Sequence, residues 1–174
     1  MRMRVQVITC DADHLAAAVD EPPALAARLG AAVPEGLIED EFRASFRSAR
    51  EELLRRPETL GWGTALFLLE EPRVICGMGG YKGPPDDGGV VEIGYSIAPS
   101  LRGRGLATEG AGELVRMAFA DPRVRWVRAH TLAEPNASTR VLEKLGFCKI
   151  GELIDPAEHP GPIWRWRLDR PQQP

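Results

Sequence analysis

At 174 residues the chain is long enough for one domain with a full hydrophobic core. Its 44% hydrophobic and 27% charged residues are an ordinary globular mixture, and a net charge of −3 with no long basic run argues against nucleic acid as a main partner. No apolar stretch is long enough to span a membrane, Met1-Arg2-Met3-Arg4-Val5 lacks a signal peptide's apolar core, and Cys10, Cys76 and Cys148 are too scattered for disulfides or metal ligands, so a reduced, cytoplasmic, metal-free protein is expected.

In chain order, Met3 to Thr9 reads as a first strand. Asp11 to Leu29 is alanine-rich and helical, with an interruption at Pro22-Pro23. Leu37 to Leu54 reads as a further helix, with Ile38, Phe42 and Phe46 on one face. Thr64–Leu69 and Arg73–Lys82 are strands joined by a turn at Glu70-Glu71-Pro72. Gly83 to Gly89 is a turn cluster between antiparallel strands. Val90 to Ala98 alternates, with Val91, Ile93, Tyr95 and Ile97 on a buried face and Glu92, Gly94 and Ser96 on the other. Pro99 stops that strand. Ala107, Ala111, Leu114, Val115 and Ala118 mark one face of a helix that ends at Asp121-Pro122. Val124–Leu132 is the next strand. A short helix follows, opened by Pro135 or Asn136 and closed by Gly146, with Phe147 folding back on it. Phe147–Leu153 and Pro162–Leu168 are the last strands. Residues 1–169 are expected to form the domain and 170–174 a loose tail.

The most informative stretch is Arg102-Gly103-Arg104-Gly105-Leu106-Ala107, at a strand-to-helix turn inside a βαβ unit. Two glycines let backbone approach a ligand. The helix behind them offers unpaired N–H groups and a positive dipole end. Two arginines add charge, so the turn is suited to a pyrophosphate. The glycine spacing is not that of a dinucleotide fingerprint, and no Gly-Lys-Ser/Thr follows to make a Walker A loop.

Three blocks together carry a family resemblance: Glu92-Ile93-Gly94-Tyr95, then Arg102 to Glu109, then Ser138 to Phe147. They resemble the GNAT family of acetyl-coenzyme A-dependent N-acetyltransferases, in particular its branch acting on ribosomal-protein N-termini. The resemblance covers roughly Val74 to Gly151. It implies an α+β fold with a mostly antiparallel twisted sheet of about six or seven strands flanked by about four helices. It implies acetyl-CoA as co-substrate and an amine acceptor, either a protein N-terminus or a small amine, and it admits a homodimer. The alternative is a non-catalytic acyl-CoA-binding sensor or interaction module.

Roles follow from the resemblance residue by residue. The pyrophosphate would meet Arg102, Gly103, and the backbone N–H groups of Arg104, Gly105, Leu106, Ala107 and Thr108, with the Thr108 hydroxyl beside them. Ile97 and Ala98 would offer backbone groups to the pantetheine. Asn136 would bond the pantetheine arm, or else simply cap its helix. Glu92 would be the base that takes the amine proton, or else a solvent-exposed strand residue. Where many relatives carry an acidic tyrosine this chain has Leu142, so Ser138 would protonate the thiolate, or else satisfy the helix's first turn. Tyr95 reads as core, His130 as structural, and Trp62 as packing or the lining of an acceptor pocket.

Overall fold

The computed structural model describes residues 4–157 and 159–172, without the side chains of Asp40 and Glu41. The chain runs β1 (Val5–Thr9), α1 (Ala12–Asp20), α2 (Pro22–Leu29), α3 (Asp40–Arg55), β2 (Thr64–Leu69), β3 (Val74–Tyr81) and β4 (Val90–Ile97). It continues through α4 (Leu106–Ala120), β5 (Trp126–Leu132), α5 (Ala137–Lys144), β6 (Cys148–Ile154) and β7 (Pro162–Asp169). Two short 3-10 turns, Pro57–Thr59 and Pro99–Leu101, follow α3 and β4.

The strands form one seven-stranded sheet in the order β1-β2-β3-β4-β5-β7-β6. Every neighbouring pair is antiparallel except β4 and β5, which are parallel. This is the mixed α+β architecture expected. Among the described residues there are five α-helices because the Asp11–Leu29 segment is two. Asp11 caps α1 by accepting from the His14 N–H at 2.8 Å. Pro22 and Pro23 open α2, since a proline is tolerated in a first turn where its missing N–H has no partner to lose. The expected start of β1 at Met3 lies outside the described residues. Helix α3 begins later than Leu37, yet Leu37 is buried and Ile38 packs on the same cluster as Phe42 and Phe46.

Each face of the sheet carries a core. Helices α1, α2 and α3 cover one face through Leu15, Leu25 and Phe46, packed with Leu66 and Leu68 of β2 and Ile75 of β3. Helix α4 covers the other through Leu114 and Ala118, packed with Phe67, Val91, Ile93 and Val127. Strand β2 supplies both faces, so its sequence is a continuous apolar run rather than an alternation.

Arg170, expected in a loose tail, is tied down. Its guanidinium donates to the carbonyls of Phe119 and Val124, each at 2.8 Å, and to that of Asp121. Its N–H donates to Arg125 O at 2.9 Å. It therefore satisfies carbonyls at and beyond the end of α4, where cations are favoured.

Candidate active site

Strands β4 and β5 pair only from Val90–Glu92 to Trp126–Arg128. Past that point they part, and the rest of β4 has an open edge. The hydrogen-bond alternation shows which groups line it. Lys82 N–H donates to Glu92 O at 3.0 Å, and Ala98 N–H donates to Cys76 O at 2.9 Å. Between these anchors an antiparallel ladder alternates, so residues 92, 94, 96 and 98 turn their backbone groups toward β3. Ile93, Tyr95 and Ile97 turn theirs into the gap.

This corrects one expectation. Ala98 has nothing left to offer a ligand, because its N–H is held by Cys76 and its carbonyl accepts from Leu101 N–H at 2.9 Å. Tyr95, like Ile97, turns its backbone groups into the gap instead. The Ile97 carbonyl is taken by Arg102 Nε at 3.1 Å, leaving its N–H toward the gap.

The open edge leads into a cleft of about 380 Å³ between β4, the glycine turn and α5. Gly103 and Gly105 at its end have φ of 76° and 78°, the left-handed region that glycine reaches without strain. Gly105 stands just before α4, and the first helical bond runs from Glu109 N–H to Gly105 O at 3.1 Å. Hence the N–H groups of Leu106, Ala107 and Thr108 have no acceptor among the described residues, and all three residues line the cleft. Arg104 turns its side chain back to Ser100 O at 3.5 Å. Arg140 and Lys144, not among the residues expected from the sequence, stand four residues apart on α5 along the cleft wall. Their spacing was the available signal.

Asn136 caps α5. Its Oδ1 accepts from Thr139 N–H at 3.0 Å, its Nδ2 donates to Glu134 O at 3.1 Å, and it lies outside the cleft lining. Its amide is spent on capping rather than free for a pantetheine arm. Ser138 does face the cleft, and its Oγ lies 3.0 Å from the Tyr95 hydroxyl. Tyr95 is thus not plain core: its ring packs on the α4-side cluster while its hydroxyl reaches the cleft. Burial raises its phenol above the ordinary value of 10, against the Ser138 hydrogen bond, which lowers it. Leu142 is fully buried, so α5 has no acidic group there.

Glu92 lies on the sheet face away from α4, as alternation requires, but it is not solvent-exposed. It is 8% exposed and ringed by Lys82 Nζ at 2.7 Å, Arg128 Nε at 2.8 Å and His130 Nδ1 at 3.0 Å. Burial pushes its carboxyl up; the bond and charge of Lys82, with His130 and Arg128, outweigh that and hold it below the usual carboxylate range. Such a carboxylate is a weak base. A second cavity adjoins this cluster, lined by Trp62, Tyr81, Lys82, Glu52 and Arg56. Trp62 meets Tyr81 edge-on with ring centres 5.0 Å apart, so it both packs and lines a cavity. Among the described residues no His, Cys, Asp and Glu gather as a metal site, and no helix is long and apolar enough to cross a membrane.

A family model of the acetyltransferase (GNAT) domain matches residues 3–148. An uncharacterized N-acetyltransferase, YjdG of Bacillus subtilis, is 32% identical over 98 residues, which are 56% of this chain and 58% of that protein. The chain thus matches little more than half of that relative's length. The ribosomal-protein-S5-alanine acetyltransferase of Vibrio fischeri superposes with a TM-score of 0.68 at 16% identity, covering 97% of this chain and 94% of that one. An aminoglycoside acetyltransferase in complex with coenzyme A superposes at 0.64 and 19% identity, covering 95% of each chain. At these identities the structural likeness establishes the fold.

Proposed function

The chain belongs to the GNAT acetyltransferase family, and from that premise we propose that it moves an acetyl group from acetyl-CoA to a primary amine, on a protein N-terminus or a small molecule, by direct attack. The observation that carries this reading is the continuity of the cleft. The open β4 edge runs straight into the unpaired N–H groups of α4.

The residues present fit that ligand. The N–H groups of Leu106, Ala107 and Thr108, with Gly103 and Gly105 leaving room, suit a pyrophosphate in both charge and geometry. Arg140 and Lys144 add formal positive charge. The backbone groups of Tyr95 and the N–H of Ile97 suit the amides of a pantetheine arm laid along β4 as an added strand. Acetyl-CoA supplies the acyl group as a thioester. Ser138 stands where it can give a proton to the departing sulfur, and the Tyr95 hydroxyl at 3.0 Å orients it and can restore that proton. Glu92, held by two cations, Lys82 and Arg128, and by the His130 ring, organises the opposite side of the β4–β5 gap. Aligning the thioester for an amine is worth several kcal/mol in itself, about 7–11 at the upper end.

Calorimetric titration of acetyl-CoA tests the reading. Gly105→Glu puts a carboxylate at the anion site and a side chain where φ is 78°; Gly105→Ala carries the strain without the charge. Binding by the parent protein, weakened in Gly105→Ala and abolished in Gly105→Glu, is expected. Absence of binding by the parent at millimolar coenzyme, or equal binding by the Glu variant, would refute it.

A further inference from the structure

His130 has one nitrogen engaged and one without a partner. Nδ1 lies 3.0 Å from Glu92 Oε1. Nε2 is buried and has no hydrogen-bond partner among the described residues. Buried polar atoms seldom stay unpaired, and one that does asks for a ligand or a water. Its place in the fold says which. Glu92 and Arg128 are the last residues that pair β4 with β5. His130 stands two residues further along β5, on the same face, where the strands have begun to part. Gly94 stands two residues past Glu92 on β4, with open space where a side chain would be.

We infer that His130 Nε2, rather than Glu92, accepts the proton of the attacking amine, and that Glu92 is a positioning residue. The inference rests on the acetyl-transfer reading above. Glu92 accepts from Nδ1–H, which leaves the lone pair on Nε2. The neutral ring is the form that suits the cluster. Lys82 and Arg128 already set two positive charges on one carboxylate, and an imidazolium would be a third. Arg165, opposite His130 on β7, is a further cation with no carboxylate partner among the described residues. An amine at the open side of Gly94, directly or across one water, loses its proton to Nε2. Its nitrogen bonds the acyl carbon, the C–S bond breaks, and the sulfur takes the electron pair and a proton from Ser138. His130 then returns its proton to solvent, and the hydroxyl pair regains one, so the protons balance.

Nitrogen-15 NMR of the labelled protein with acetyl-CoA bound reads the tautomer directly, with His130→Gln to assign the ring. The expected spectrum at mildly alkaline pH shows Nδ1 protonated and Nε2 bare, with the preference lost in Glu92→Gln. A proton on Nε2, in either the other tautomer or the imidazolium, would overturn the inference. In His130→Gln, transfer to an amine that the parent protein acetylates should fall about 100-fold with coenzyme affinity unchanged. Undiminished transfer there would also overturn it. Coenzyme titrated into the same NMR sample separates the two ideas. If the parent binds none, the acetyl-transfer reading fails; bound coenzyme with a protonated Nε2 sinks only the role of His130.

Discussion

Replacing Gly110 by alanine sets two opposed effects against each other. In the middle of α4, alanine should stabilise a helix relative to glycine by about 1 kcal/mol. In this fold a Cβ at Gly110 would meet the Phe67 ring at 2.4, 2.5 and 2.9 Å, where ordinary contact begins at 3.4 Å. Phe67 is fully buried and cannot swing away, because a Cβ at Gly79 on the far side would already lie 2.7 Å from its Cζ. The ring is wedged between β3 and α4. Either α4 moves outward by nearly 1 Å or the ring leaves its rotamer, and contacts this far inside the ordinary range put the cost in the upper part of the overpacking range, about 2–3 kcal/mol. Since the repulsion outweighs the propensity gain, Gly110→Ala should destabilise the fold by about 1–2 kcal/mol. For a domain of this size that is a fall of about 2–8 °C in Tm. Because α4 also aims its N-terminus into the cleft, acetyl-CoA affinity should fall with it. Thermal and urea melts, with a calorimetric titration, measure both. A variant as stable as the parent, or more stable, would show that propensity decides and that the close packing of Phe67 on α4 is wrong.

Arg170→Ala should cost about 1–2 kcal/mol, because three carbonyls at and beyond the α4 terminus lose a charged donor and regain only water. Arg170→Lys should recover less than half in a urea melt, since an ammonium lacks the fork that spans them; unchanged stability in Arg170→Ala would count against the anchor. Acid should also remove a stabilising contribution from Glu92. Its folded carboxyl titrates below the ordinary 4.5, so as pH falls the unfolded chain takes up the proton first. That contribution is complete above about pH 4.5 and lost as pH drops through the folded value. The stability gap between the parent and Glu92→Gln, read by urea melts, should hold steady near neutrality and narrow below about pH 4; a gap that widens in acid would contradict the ion cluster.

What the amino-acid sequence determined by itself is local. The alternation of Val91, Ile93, Tyr95 and Ile97, the apolar face from Ala107 to Ala118, and the glycine turn between them place a strand, an anion-suited loop and a helix in order. Each depends only on backbone geometry within a few residues. Asn136 and Gly146 bracket α5 for the same reason. The tertiary structure decided what those elements meet. Glu92 looked solvent-facing because alternation tells which face a side chain takes, not what covers that face. Lys82, just past the end of β3, and His130 on β5 reach it only through the pairing of both strands with β4. The same holds for Tyr95 against Ser138, 43 residues apart, and for Arg170 against α4. Ala98 lost its expected role to the ladder phase with Cys76, which no local pattern encodes. The divergence of β4 from β5 is what makes the cleft. It arises from how two distant segments pair and then part, and no single stretch of the chain carries it.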